Sequence, residues 1–123
     1  MFYENKTALE ALAQVLISGA FLGTLAINVT KKVKQHLDRM VKMGLLFPTT
    51  SLWLGFSIQA VGGTMLFIDM RPDIGALLLI LFTITATFIF HRFWIVVDPL
   101  RRHLHFSFIF SNIAIVGALL LFI

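Results

Sequence analysis

The chain has 123 residues, of which 59% are apolar and 13% charged, with a formal net charge of +4 and no cysteine. Soluble domains average about half apolar and a quarter charged, and a domain this small has too little interior to hide the excess, so water is excluded as its main solvent. The lack of cysteine excludes disulfides, cysteine-ligated clusters, thiolate zinc sites and thiol nucleophiles.

The N-terminal MFYENKTALE carries Glu4, Lys6 and Glu10 ahead of the first apolar run. That run, Ala11 to Thr30, is long enough to cross a hydrocarbon core of about 30 Å at about 1.5 Å per residue. The next segment, TKKVKQHLDRMVKMG, places Val33, Leu37, Met40 and Val41 at helical spacing among basic residues. It reads either as an amphipathic helix lying at the membrane interface or as a solvated basic linker.

A second span is expected over Leu45 to Ile68. The third uncharged stretch, Ile74 to Phe90, reaches only about 25 Å, so the span is expected to continue through His91 and Arg92 to Val97. Asp98-Pro99 is the first real stop, because the residue before a proline is pushed out of the helical region. The fourth span is expected over residues 104–123. The fold expectation is therefore an all-α membrane protein, a four-transmembrane-helix bundle, as one domain over residues 1–123.

If the spans alternate, Lys31, Lys32, Lys34, Arg39, Lys42, Arg92, Arg101 and Arg102 share one side, leaving Lys6 and Arg71 on the other. The excess of positive charge marks the cytoplasmic side and puts both termini opposite, in a bacterial-type inner membrane. Lys31, Lys32, Arg92, Trp94, Arg101 and Arg102 are expected at the lipid interface. The basic residues are thus topology signals and lipid contacts, not a nucleic-acid surface.

Lipid tails are as apolar as leucine, so helices must associate through small residues and hydrogen bonds. The candidate packing positions are Gly19 and Gly23 on the first span; Gly55, Gln59, Gly62 and Gly63 on the second; and Ser111, Ala114 and Ala118 on the fourth. On the third, Thr83, Thr87, His91, Trp94 and Asp98 form one polar face. The polar residues at membrane depth include Gln14, Asn28, Ser57, Gln59 and Asn112, and none is ionisable near mid-span, which counts against a proton- or ion-coupled transporter.

No nucleophile, metalloprotease or phosphate-loop motif is present. Asp69 and Asp73 flank Arg71 in a short turn and read as helix ends rather than an acid–base pair. His91, His103 and His105 offer imidazoles, but without carboxylate or cysteine partners no metal site is expected. His91, Thr87, Trp94 and Asn112 are the candidate contacts for a quinone at the membrane edge. The reading leans towards no catalytic activity for the chain on its own.

The stretches GALLLILFTITATFIFHRFW and HFSFIFSNIAIVGALLLF, with Gly23, Lys31 or Lys32, Gly44 and Gly62-Gly63 upstream, resemble the DoxX family of small four-helix membrane proteins. Two positions depart from it: Gln59 stands where many members have glutamate, and Ser111 where lysine often precedes the asparagine. The resemblance implies a membrane subunit associated with thiosulfate:quinone oxidoreduction, while the wider superfamily includes membrane chaperones and adaptors. The leading expectation is a non-catalytic accessory subunit of a larger membrane redox or energy-transducing complex, with membrane lipids and other integral subunits as partners. A quinone-interacting oxidoreductase subunit and a membrane chaperone or adaptor are the alternatives.

Overall fold

The computed structural model describes residue 3 and residues 6–42, 44–90 and 98–123. The architecture among these residues is wholly helical: α1 (Ala8–Ile27), a π-helical turn (Asn28–Lys32), α2 (Val33–Lys42), α3 (Pro48–Phe67), α4 (Pro72–Phe90) and α5 (Pro99–Leu120). Thr7 opens α1 through a reciprocal cap with Glu10, its hydroxyl accepting from the Glu10 N–H at 3.1 Å. The helix then runs through the π-helical turn into α2 without a break.

Helices α3, α4 and α5 each begin at a proline, where the missing N–H costs nothing and φ is already helical. Asp98 caps α5 by accepting the Leu100 N–H at 3.0 Å. This start lies earlier than the expected residue 104 because the cap and Pro99 set the boundary, whereas hydropathy ignored a first turn carrying Arg101 and Arg102.

α3 is the central element and packs most extensively on α4 and α1; α5 leans on α4. One core cluster joins Leu66, Ala76, Leu79 and Leu119, with Ile17 and Phe21 of α1 packed against it. Gly62 and Gly75 meet at the α3–α4 crossing: a Cβ on Gly75 would stand 2.9 Å from the Gly62 carbonyl. A Cβ on Gly63 would stand 2.8 Å from Leu22 Cδ2 of α1.

The molecule is inverted relative to a soluble one. Gln14, Ser18 and Gln59 are buried, while Leu16, Leu81, Phe88 and Phe110 are exposed. Among the described residues three helices are long and apolar enough to cross a membrane: the continuous Ala8–Lys42, Pro72–Ile89 and Pro99–Leu120. α3 is less apolar than these because Thr49, Thr50, Ser51, Ser57, Gln59, Gly62 and Gly63 take up much of its length.

Two expected features differ. Most of the apolar face of α2 turns into the protein: Met40 is buried with Leu52 and Phe56, and Val33 and Leu37 pack against the same cluster, while Val41 is exposed. Secondly, the small residues of α1 and α5 do not form seams within the chain. A Cβ on Gly19 or Gly23 would meet nothing within 4 Å, and Ser111 and Ala114 are exposed, with Ala118 only half-buried. The inward face of α1 is instead Gln14, Ser18, Phe21 and Leu22, and that of α5 is His105, Asn112, Ile115 and Leu119, larger residues whose side chains reach across wider gaps.

Candidate functional site

A cavity of about 640 Å³ lies between α1, α2, α3 and α4 and reaches Asn112 and Ile115 of α5. Its walls include Phe21, Leu52, Phe56, Phe82 and Ile89, and its polar groups include Asn28, His36, Arg39, Gln59, Thr83 and Asn112. Phe82 turns inward here, its ring edge-on to Phe21 with centroids 6.5 Å apart.

The π-helical turn sets the basic end of the cavity. Its wider winding brings Asn28 Oδ1 within 3.1 Å of His36 Nε2, although the residues are eight apart. Insertions of this kind in α-helices are frequent at functional sites.

Gln59 sits deeper, 1% exposed. Its Nε2 donates to the Phe21 carbonyl at 2.7 Å, tying α3 to α1, while its Oε1 has no hydrogen-bond partner among the described residues. An unmet buried acceptor costs about 1–3 kcal/mol.

Two of the four expected quinone contacts come together. Asn112 Nδ2 on α5 donates to Thr87 Oγ1 on α4 at 2.8 Å, and Thr87 Oγ1 donates in turn to the Thr83 carbonyl at 2.7 Å. Thr83 bonds back to the Leu79 carbonyl at 2.8 Å, so each of these threonines satisfies its own helix, and Thr87 serves the interface as well. Asn112 lines the cavity. The other two contacts, His91 and Trp94, and the interface residue Arg92 lie outside the described residues.

Of the packing positions, Gly62 and Gly63 are buried in helix contacts, and a Cβ on Gly55 would meet Phe82 at an ordinary 3.8 Å. Lys31, Lys32, Arg101 and Arg102 are exposed, and Arg39 is near enough to Arg101 for their charges to repel. His103 is exposed while His105 is buried, so the two imidazoles do not share an environment. Among the described residues no three His, Asp or Glu side chains converge as metal ligands.

A second polar cluster, at the opposite end, escaped the sequence. Lys6 pairs with Asp69 at 3.1 Å and also donates to Gln14 Oε1. Gln14 Nε2 donates to Asp69 Oδ1 at 2.9 Å and to the Leu66 carbonyl at 2.7 Å, and the Tyr3 N–H donates to Asp69 Oδ2 at 2.7 Å. The Lys6 ammonium also lies 5.4 Å from the centre of the Phe122 ring. Gln14, a lone amide inside an apolar run, was the available signal.

A family model, DoxX, matches residues 10–92. The chain belongs to the DoxX family. The match covers α1 to α4 and both glycines of the α3–α4 crossing, and it stops before α5, so the resemblance of the last helix lies outside it. No curated protein and no solved structure matches this DoxX chain. It is an integral membrane protein by family and by the character of its helices.

Proposed function

We propose that this DoxX protein is a non-catalytic accessory subunit of a larger membrane-bound redox or energy-transducing complex, acting by helix packing. The observation that carries the reading is the outward set of small residues: a Cβ on Gly19, Gly23 or Gly117 would meet nothing within 4 Å, and Ala114 is exposed. In lipid, close backbone approach at small residues is what lets helices associate, so such faces suit neighbouring spans. The chain crosses the membrane four times, with α3 as the fourth span, its Gln59, Gly62 and Gly63 covered by its neighbours. Its basic loops lie in the cytoplasm and both termini opposite, in a bacterial-type inner membrane.

The test is purification of tagged protein from its native membrane in mild detergent, followed by mass spectrometry and an absorption spectrum. Redox or pigment proteins at constant stoichiometry support the reading, and Gly23→Leu or Ala114→Leu then releases them while leaving the chain's own thermal unfolding unchanged. A chain that emerges alone, or with many substoichiometric clients, sinks it in favour of a chaperone or adaptor.

The bond between Thr87 and Asn112 favours a second reading, a quinone headgroup held near the α4–α5 seam. His91→Ala and Asn112→Leu test it in the intact complex: an unchanged quinone-dependent rate in both removes it.

A further inference from the structure

We propose that the cavity between α1, α2, α3 and α4 binds a single-chain amphiphilic carboxylate, its chain among the phenylalanines and its head on Arg39. From Asn28, Ser51 and Ile89 at the basic end, the lining runs to Ala20, Gln59 and Leu81, eight residues along each of three helices. At about 1.5 Å per residue the chamber is about 12 Å long. Phe21, Phe56, Phe82 and Ile115 wall it, so its body is apolar and aromatic.

One end of the chamber is cationic. His36 and Arg39 both line it, sharing one face of α2 as residues three apart on a helix do. The 3.1 Å contact of His36 with Asn28 ties that face to α1, and Met40, buried with Leu52 and Phe56, ties α2 to α3. Arg39 is half-buried, which keeps it open to a ligand, and lies within electrostatic reach of His36, Arg101 and His105. Residues 28–42 and 98–105 carry seven Lys or Arg against two Asp, and among the described residues that line the cavity there is no Asp or Glu. Such a field draws an anion and repels a cation. The planar guanidinium fork matches the two oxygens of a carboxylate.

Size and access favour one chain over two. The volume of about 640 Å³ lies within the range of about 300–1,000 Å³ typical of small-molecule sites. A length of about 12 Å is less than half of a hydrocarbon core of about 30 Å, so a phospholipid would leave most of its two chains outside. The rim is mixed: Thr24, Ser51 and Thr85 line the cavity and are exposed, as are Leu54 and Leu81. An amphiphile entering there keeps its head beside hydroxyls and its chain beside leucines. None of this depends on a neighbouring subunit or on a quinone.

Three probes that share one chain test this by native mass spectrometry of the full protein in phosphatidylcholine nanodiscs: dodecanoate, its methyl ester and dodecyltrimethylammonium. The pH is held at about 8, where a carboxylate is ionised. Dodecanoate is expected to bind about tenfold more tightly than the ester, a difference one charge-assisted hydrogen bond can supply, and the cation most weakly. Arg39→Gln is expected to bring the ratio of acid to ester to about one. Lys31→Gln removes an exposed charge outside the cavity and is expected to leave the ratio unchanged. Ala86→Phe fills the cavity with Arg39 intact and is expected to abolish binding of acid and ester alike. Equal binding of acid and ester by the unaltered chain overturns the proposal, as does no binding at all or a preference that survives Arg39→Gln. A ratio that falls as far in Lys31→Gln, or binding that survives Ala86→Phe, would place the anion on the basic surface and overturns it too. Displacement of dodecanoate by phosphatidylglycerol overturns it in favour of a phospholipid site. Should Arg39→Gln fail to fold, the unaltered chain's ratio and the Ala86→Phe result still decide.

Discussion

Asp69 stands at φ 60, in the left-handed region that a non-glycine residue occupies only at some cost, and its side-chain partners hold it there. Burial pushes its carboxyl up, but hydrogen bonds from Gln14 and the Tyr3 N–H, with the Lys6 charge, outweigh this and hold it below the ordinary carboxylate value. A depressed folded value means that the cluster stabilises fully above the unfolded value of about 4 and is lost as pH falls through the folded one. Thermal unfolding in detergent should therefore stay level down to about pH 4 and then drop in the native chain. Asp69→Ala should lose about 1–3 kcal/mol at neutral pH and show a much smaller drop; parallel acid profiles for the two would refute the assignment. The glycines make a second residue-scale test. A Cβ on Gly62 would lie 3.0 Å from the Gly75 carbonyl, which cannot move aside without shifting a helix, so Gly62→Ala and Gly75→Ala should each cost about 1–3 kcal/mol. Gly63→Ala meets the Leu22 side chain, Cδ2 at 2.8 Å and Cγ at 3.1 Å, which can shift where a backbone carbonyl cannot, and should cost less. Gly19→Ala and Gly23→Ala should be neutral or stabilising by up to about 1 kcal/mol, because helix propensity is all that changes. Melting temperatures of the isolated chain separate the three classes. The sequence marked Gly19, Gly23, Gly62 and Gly63 without ranking them, and did not mark Gly75: a small residue has the same composition whether it faces a carbonyl or lipid, and only the partner helix decides.

At the scale of the element, legibility depended on whether a helix carried its own contrast. The amphipathic pattern of α2 was plain in Val33, Leu37 and Met40, but its destination was not, since an apolar stripe suits lipid and a protein groove equally. The structure buries Met40 at 2% exposure against Leu52 and Phe56 of α3. Met40→Ala should cost about 2–5 kcal/mol by leaving a cavity, and hydrogen exchange should rise across residues 33–42 while the α3–α4 crossing stays protected. Uniform deprotection would show that α2 is not a separable unit. The spans themselves are apolar on all sides, so periodicity could not reveal their inward faces, and only their rare polar residues gave direction. Thr87 and Asn112, singled out for polarity alone, bond across α4 and α5, whereas His91 and Trp94 lie outside the described residues. The Thr87–Asn112 bond should contribute about 0.6 kcal/mol, with an upper bound near 1.7, as for other interhelical bonds in membranes. A double-mutant cycle with Thr87→Val and Asn112→Leu, read by unfolding in detergent, measures it, and a coupling near zero would mean that apolar packing alone holds α5.

For the whole molecule, the arrangement turns on α3. Hydropathy marks Ala8–Lys42, Pro72–Ile89 and Pro99–Leu120 as able to span, and α3 falls short because polar and small residues take up much of its length: Gln59, Gly62 and Gly63 contact other helices, while Thr49, Thr50, Ser51 and Ser57 are exposed. Gln59, Gly62 and Gly63 make it less apolar by composition, yet they are buried and need not meet lipid. A central helix is solvated by its neighbours, and window hydropathy scores residues as though each faced the membrane. Its 20 residues reach about 30 Å, enough to cross the core. If α3 spans, Lys34 before it and Met70 after it lie on opposite faces; if it does not, they share one. The native chain has no cysteine, so single replacements give an unambiguous readout. Met70→Cys should react with a membrane-impermeant maleimide on intact cells or spheroplasts, and Lys34→Cys and Arg102→Cys only after permeabilisation. Labelling of Lys34→Cys and Met70→Cys from the same side would remove α3 as a span. Labelling of Lys34→Cys and Arg102→Cys from outside, with Met70→Cys protected, would keep four crossings but invert them. The excess of Lys and Arg in the first and third loops argues against that inversion, because orientation follows the positive charge held in short loops.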